Sequence, residues 1–452
     1  MQSARQDYPK TPSTLVGLTE ALKGQEYRLL LCVHCVFCLP ACPTYIRLGD
    51  ENDSPRGRLH LMKAVVEGRM SPKSEAFQTH IDRCLGCRAC EPVCPSGVEY
   101  GLLLESAREV ASKAGASLTL SRLLMSMVSH RPYSNYFLGF ARILRWTTLP
   151  KFLARVIPKF SVLHPIKFGL AMLAATSRTD LKRSETQSLR KQQKKEEAIG
   201  SQPKARVALL EGCVQSGLFS RVNRATERLL KVNGYEVITI NDQGCCGALH
   251  AHGGATDSAR KLAITNLNAF ESNRFDYIVA NSAGCGLALK EYGHLLDQDP
   301  KYQNTARMFS EKVRDISEIL TMSDGPLIGG EIPLKVTYDA ACHLCHGQGL
   351  LAEPKALLKA IPNLDIIDLP AEEECCGGAG IYGITHGELG ASIGEDKVEA
   401  VMRTGADLVT TANPGCIMQI GAGLILAGSP ITAQHPIELL DESYRRAGYY
   451  GD

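Results

Sequence analysis

Residues 32–43 read Cys32-Val33-His34-Cys35-Val36-Phe37-Cys38-Leu39-Pro40-Ala41-Cys42-Pro43. The same C-x2-C-x2-C-x3-C-P spacing returns as Cys84-Leu85-Gly86-Cys87-Arg88-Ala89-Cys90-Glu91-Pro92-Val93-Cys94-Pro95. Three thiolates at this spacing wrap one face of a cubane cluster. The fourth points away and, where two such motifs occur, ligates the partner cluster, while the proline turns the chain out of the loop. Cys32, Cys35, Cys38 and Cys94 are therefore expected to hold one [4Fe–4S] cluster, and Cys84, Cys87, Cys90 and Cys42 a second. Structural zinc is disfavoured here, because zinc sites pair two CxxC units and do not run three cysteines as CxxCxxC. His34, inside the first motif, is expected to pack or hydrogen-bond and not to ligate.

About forty residues separate the two motifs and include a stretch of helical period at 55–67, PRGRLHLMKAVVE. That insertion replaces the tight β-rich wrap of small ferredoxins and predicts an α-helical ferredoxin-type domain over 15–130. Arg47, Arg56 and Arg58 flank the region. A cluster with four thiolates carries net negative charge, so guanidinium groups beside it would tune its potential. The alternative stays open that these are surface arginines, with Arg56 fixing the turn after Ser54-Pro55.

The chain has 452 residues, a hydrophobic fraction of 44%, a charged fraction of 22% and a formal net charge of +2. That balance fits a globular protein of several domains and excludes nucleic-acid binding through an overall basic field. Seventeen cysteines are an odd number, and a chain this long has no need of a disulfide scaffold. The first twenty residues lack the apolar run of a secretory signal, and no apolar stretch reaches the ~18 residues of a spanning helix. A cytoplasmic protein with reduced thiols is expected, and reduced thiols in this number point to metal.

Nine further cysteines form an internal repeat. Cys213, Cys245 and Cys285 recur as Cys342, Cys375 and Cys416 at offsets of 129, 130 and 131 residues, and Cys245-Cys246-Gly247 recurs as Cys375-Cys376-Gly377. Such constancy indicates a duplicated unit, over 204–325 and 333–452. Apolar runs at 206–210, 236–240 and 277–280 precede the first three landmarks, and runs at 335–338, 364–369 and 408–411 precede the second three. Segments of helical period such as 221–233 and 258–270 lie between them. Strand alternating with helix predicts parallel sheets with crossovers, and ligands of such sheets sit beyond the carboxyl ends of the strands. The fold class expected is therefore multidomain: an α-helical ferredoxin-type domain followed by a duplicated α/β domain with parallel sheets. Cys213, Cys245, Cys246 and Cys285, and likewise Cys342, Cys375, Cys376 and Cys416, could each converge on a metal. A further iron–sulfur cluster, zinc, and plain reduced core thiols all remain open. Cys345 has no counterpart and is set aside as a spare. His250, His252, His343 and His346 are expected to be hydrogen-bond donors near sulfur or satisfied loop histidines, not ligands, and Gly247, Gly377 and Gly378 to let the backbone approach sulfur or to form an ordinary strand-to-helix turn.

The paired motifs, the segment Asp53-Ser54-Pro55-Arg56-Gly57-Arg58 and the two CCG repeats, in this order over nearly the whole chain, resemble the iron–sulfur subunits of glycolate oxidase. The resemblance implies a complex in which a separate FAD-containing subunit oxidises a 2-hydroxy acid, glycolate to glyoxylate. This chain would carry the electrons on, toward quinone or another acceptor. Iron–sulfur subunits of D-lactate or glycerol-3-phosphate dehydrogenases, and a heterodisulfide-reductase-like catalytic subunit, are the alternatives. In heterodisulfide reductase the full repeats end in CxxC and hold noncubane clusters. Here Ser282 and Asn413 stand in place of the earlier cysteine, which argues against disulfide-reducing chemistry.

Residues 131–183 carry ten Lys/Arg against one Asp, interleaved with Tyr136, Phe137, Phe140, Trp146, Phe152 and Phe160. Together with the polar run 184–205 they form a basic segment and linker, 131–203. An anionic membrane surface at the inner face of the cell membrane, the docking face of an acidic subunit, or a plain solvated helical connection would each fit. No glycine-rich dinucleotide fingerprint and no phosphate loop follows any expected strand. No catalytic residue is assigned, and the chain alone is not expected to oxidise substrate.

Overall fold

The computed structural model describes residues 19–115, 125–130, 133–158, 163–177, 203–271, 274–322, 325–380 and 382–450. They divide into two compact units. One is made of the described residues up to Met125 with Leu249–Ala259, the other of Ser126–Ala248 with Arg260 onward.

The first unit is helical. Helices Pro55–Val66, Glu75–Asp82 and Tyr100–Ala114 bury Leu59, Met62, Phe77, Ile81, Leu103 and Val110 in one core, to which Cys84 and Cys90 contribute. The segment Asp53–Arg58 explains why the helix begins where it does. Ser54 Oγ accepts from the Gly57 N–H at 3.0 Å, and Pro55 occupies the first turn, where a missing N–H costs nothing. Gly57 is obligatory, because a Cβ there would lie 1.9 Å from the Glu51 carbonyl oxygen.

The second unit holds two four-stranded, wholly parallel sheets. Strands β1 (Arg206–Leu209), β2 (Glu236–Ile238), β3 (Tyr277–Ala280) and β4 (Val313–Asp315) lie in the order β2-β1-β3-β4. Strands β5 (Leu334–Tyr338), β6 (Leu364–Ile367), β7 (Leu408–Thr410) and β8 (Thr432–Gln434) repeat that order as β6-β5-β7-β8. The expected helical segments appear as Ser220–Val232 and Thr256–Glu271. The apolar runs anticipated six strands. β4 and β8 escaped notice because Val-Arg-Asp and Thr-Ala-Gln are too short and polar to register as a period. Each leads into a helix through the same capping box, Asp315 with Glu318 in one sheet and His435 with Glu438 in the other.

The sheets are joined as a pair. The Ala283 N–H donates to Ala412 O at 3.0 Å, Arg228 pairs with Asp441 at 2.6 Å, and Arg221 with Glu438 at 2.5 Å. Leu229, Val279 and Ile319 share one core with Val336, Leu357 and Leu440. Burial of each such side chain is worth about 1.5–3 kcal/mol, so neither sheet is an independent body.

The basic aromatic segment is helical at Tyr133–Trp146, Leu149–Val156 and His164–Ala175. Ala154, Phe168, Ala171 and Met172 pack on Ala422 of the Pro414–Leu426 helix. Tyr136, Phe140, Ile143 and Phe152 face solvent, and Trp146 is 85% exposed. Two of its cations turn inward: Lys167 Nζ donates to Ile157 O at 2.9 Å, and Arg145 donates to Leu218 O at 2.7 Å. Residues 184–202 of the expected linker, with Lys159, Phe160, Arg178, Lys182 and Arg183, lie outside the described residues. Among the described residues no helix is long and apolar enough to cross a membrane.

Candidate metal centres

In the first unit Cys32, Cys35, Cys38 and Cys94 line one small cavity, bordered by Arg56 and Tyr100 and touched by Cys90. Cys94 thus lies with the first motif. Cys42 faces sulfurs of both motifs, Cys38 in the first and Cys90 in the second, and Cys90 also faces Cys87 and Cys84. Burial first, and then this crowding of like charges, push the Cys90 thiol well above its ordinary range. Burial likewise raises Cys38, against the backbone N–H of Arg56 that faces its sulfur. Cys84 goes the other way. Burial opposes its charge, but Arg58, Arg108, Tyr100 Oη at 3.5 Å and the Gly86 N–H at 3.4 Å outweigh it and hold the thiol below its usual range. Sulfurs crowded in this way must keep protons unless a cation replaces them, and a metal does so outright.

The three arginines that the sequence left equivalent are separated by the fold. Arg47 is exposed. Arg56 pairs with Glu51 at 2.5 Å and reaches the His34 carbonyl at 3.4 Å. Arg58 is wholly buried, with Nη1 3.9 Å from Cys42 Sγ. It is held by Asp53 at 3.2 Å, Thr44 Oγ1 at 3.1 Å and the His80 carbonyl at 2.6 Å. Asp53 is itself 3.0 Å from His80 Nδ1 and 3.1 Å from Arg83. The roles of Asp53 and His80 were missed from sequence, since an acid and a histidine 27 residues apart give no local signal.

In the second unit every cysteine landmark follows a strand. Cys213 opens the Cys213–Leu218 helix after β1, Cys245 and Cys246 follow β2, and Cys285 sits in the first turn of Ala283–Lys290 after β3. Cys213 Sγ lies 3.3 Å from Cys245 Sγ, and Cys246 hydrogen-bonds with Cys245 and Cys285. In the second repeat Cys375 bonds with Cys342 and Cys376, and Cys376 with Cys416. All four sulfurs of each set therefore converge. Hydrogen bonds between sulfurs hold Cys376 and Cys285 low as acceptors and raise Cys213, Cys246, Cys375 and Cys416 as donors. Four sulfurs per set fit one tetrahedral cation or one cubane. A cleft of about 130 Å³ opens beside Cys213 and Cys245, lined also by Ser134 and Arg142.

Cys345 belongs to neither set of four: its one S–H is shared between Ala340 O at 3.6 Å and Cys342 O at 3.8 Å, and burial, then the facing Cys342 sulfur, push the thiol up. Ser282 and Asn413 face each other across the two repeats, Ser282 Oγ 3.4 Å from Asn413 Oδ1. Each also donates to the sulfur three residues on: Ser282 to Cys285, and Asn413 Nδ2 to Cys416 Sγ at 3.4 Å. His252 pairs with Glu105 at 3.1 Å, and His346 Nε2 lies 3.0 Å from Glu373 O. Gly377 has φ +78°, and a Cβ on Gly378 would lie 3.4 Å from Cys376 Sγ, the close approach its lack of a side chain permits.

Two known domain families match these regions. The 4Fe-4S dicluster domain covers residues 28–98, and the cysteine-rich (CCG) domain covers 207–290 and 336–421. The "Probable glycolate oxidase iron-sulfur subunit" of Bacillus subtilis (strain 168) is 37% identical over 92% of this chain and 94% of its own. The "Glycolate oxidase iron-sulfur subunit" of Escherichia coli (strain K12) is 32% identical over 92% of this chain and 95% of its own. "Lactate utilization protein A" of Exiguobacterium sp. (strain ATCC BAA-1283 / AT1b) is 30% identical over 53% of this chain and 99% of its own.

Proposed function

Because the chain belongs to the family of glycolate oxidase iron–sulfur subunits, we propose that it carries electrons for a 2-hydroxy-acid oxidoreductase whose FAD-containing partner subunit oxidises glycolate to glyoxylate. That oxidation releases two electrons and two protons, and one-electron carriers must take the electrons singly. Cys32, Cys35, Cys38 and Cys94 hold one [4Fe–4S] cluster in this reading, and Cys84, Cys87, Cys90 and Cys42 the other. The observation that supports it is that Cys94 lines the cavity of Cys32, Cys35 and Cys38 while Cys42 reaches Cys90, a placement that suits fourth ligands crossed between two adjacent cubanes. When bound, the clusters supply one-electron chemistry. The residues of the chain supply the rest: Arg58 places a buried positive charge at Cys42, and Tyr100 and the Gly86 N–H donate to Cys84.

The repeats hold at least one further iron–sulfur centre on Cys213, Cys245, Cys246 and Cys285 or on Cys342, Cys375, Cys376 and Cys416, with zinc as the competing occupant. Electrons pass on to quinone or another acceptor. The protein works in the cytoplasm, at the inner face of the cell membrane. Exposed Tyr136, Phe140, Trp146 and Phe152, with Lys151 and Arg155 among them, support an anionic bilayer as the surface they meet. Lactate is the second substrate reading, supported by the lactate utilization relative.

The test is electron paramagnetic resonance of the anaerobic chain mixed with glycolate, with and without its flavoprotein. Reduced-cluster signals are expected only when both are present. Signals from glycolate and the isolated chain would contradict the proposed division of labour.

A further inference from the structure

The two four-cysteine sets share a backbone plan but differ in what surrounds them. The registers of β1 with β3 and β5 with β7 place Leu210 in correspondence with Asp339. The buried stripe Asn266, Leu267 and Phe270 of one helix recurs as Lys397, Val398 and Val401 of the other. In the first repeat both corresponding groups are uncharged: Leu210 is packed in the core, and Asn266 Nδ2 donates to Cys245 O at 3.0 Å and to Tyr292 Oη at 2.9 Å. In the second repeat they form an ion pair, Lys397 Nζ to Asp339 Oδ1 at 3.0 Å, with side chains only 3% and 2% exposed.

Lys397 Nζ also donates to Ala371 O at 2.8 Å and Glu372 O at 3.1 Å, in the loop that leads to Cys375. The other negative groups facing the ammonium are the sulfurs of Cys376 and Cys375, and the carboxylate faces the sulfurs of Cys376, Cys416 and Cys345 and the Tyr338 hydroxyl. Taking both ions out of water costs several kcal/mol each, and uncharged replacements of such pairs are often neutral or stabilising. The first repeat demonstrates that this fold forms without the pair. The pair therefore answers to something specific to the second site, and what it faces there is sulfur.

We propose that Lys397 and Asp339 set the reduction potential of the second-repeat centre, a control that the first repeat lacks. This rests on the reading that the repeats hold iron–sulfur centres. Reduction adds one electron and one unit of negative charge to such a centre, with no bond made or broken. A fixed ammonium beside the ligating sulfurs favours the reduced form, and a carboxylate beside them opposes it.

The test is a redox titration of the full-length, cluster-loaded protein followed by electron paramagnetic resonance. The second-repeat signal is identified as the one lost in Cys376→Ser and kept in Cys246→Ser. Lys397→Gln should shift its reduction equilibrium about tenfold toward the oxidised form, ~59 mV for a one-electron couple, and Asp339→Asn by a similar factor the other way. Lys397→Asn with Asp339→Leu copies the first repeat and guards against misfolding. It should keep its iron and titrate between the two single variants, with the dicluster signals unmoved throughout. Shifts of the same sign, or none, would overturn the proposal alone, as would loss of the centre from the double variant, which marks a structural role. A wild-type protein with no signal sensitive to Cys376→Ser overturns the metal reading and the proposal with it.

Discussion

In residues 32–94 eight sulfurs come from two short runs of chain, whereas each repeat gathers four sulfurs from three strand ends spaced some thirty to forty residues apart. In the first case loop spacing alone fixes which sulfurs can share a cluster. In the second, the sheet must fold before the sulfurs meet. Metal in the dicluster region should therefore be insensitive to damage in the sheets, while metal in the repeats should depend on them.

The largest effects break the first half of that contrast. Cys42→Ser and Cys90→Ser should remove the same cluster, about four irons, and extinguish the same resonance signal. Cys94→Ser should behave like Cys38→Ser. If Cys42→Ser instead matches Cys38→Ser, the crossing of ligands between motifs is wrong. Next in size, Cys213→Ser or Cys416→Ser should cost repeat-bound iron while leaving the dicluster irons in place. Cys345→Ser should leave the iron count unchanged, because its sulfur is outside both chains of sulfur–sulfur hydrogen bonds; iron lost from that variant would make it a ligand.

Buried charge comes third. Arg58→Met strands Asp53 in the core with only Arg83 and His80 to face it, and should lower stability by roughly 3 kcal/mol in denaturant unfolding. Arg56→Met removes a partly exposed pair and should cost under about 1 kcal/mol. Equal costs would mean that Arg58 is not held as the geometry has it.

The effect that is smallest at neutral pH, and grows only on acidification, compares the repeats with each other. Burial lowers the pKa of His435 to about 3, so it stays neutral in the fold. As pH falls from ~6.5 toward 3, the unfolded chain takes up a proton that the fold refuses, and stability falls by ~1.4 kcal/mol per unit. Asp315, at the matching cap, is raised by burial to about 6. Its contribution is full below ~3.9 and is lost as pH rises toward 6. His435→Asn keeps a capping side chain and should flatten the acid limb of melting temperature against pH. Between pH 4 and 6 the two contributions have opposite slopes, so Asp315→Asn should steepen the fall in stability on acidification. A His435→Asn profile identical to wild type would refute the first assignment.

What could be read from the sequence follows the same division. CxxCxxCxxxCP carries its geometry in its spacing, and the apolar runs before Cys213, Cys285, Cys342 and Cys416 mark strands without help from elsewhere. The two capping strands could not be read, because pairing with β3 and β7 makes them strands and their own residues do not. Nor could the inward turn of Arg58, Lys167 and Lys397 be seen, since a charged residue in a sequence looks like a surface one until the fold surrounds it. The convergence of Cys245-Cys246 with Cys213 and Cys285 was an inference from strand order, and Ser282 meeting Asn413 was beyond it, being a contact between repeats.

The most direct test of an electron carrier with centres in both regions is iron and acid-labile sulfide per chain in anaerobically prepared protein. Wild type is to be compared with the Cys245→Ser, Cys375→Ser double variant. More than about eight irons in wild type and about eight in the variant are predicted, two [4Fe–4S] clusters holding eight. About eight in both would contradict the account, confining iron to residues 32–94 and leaving the repeats without a cluster.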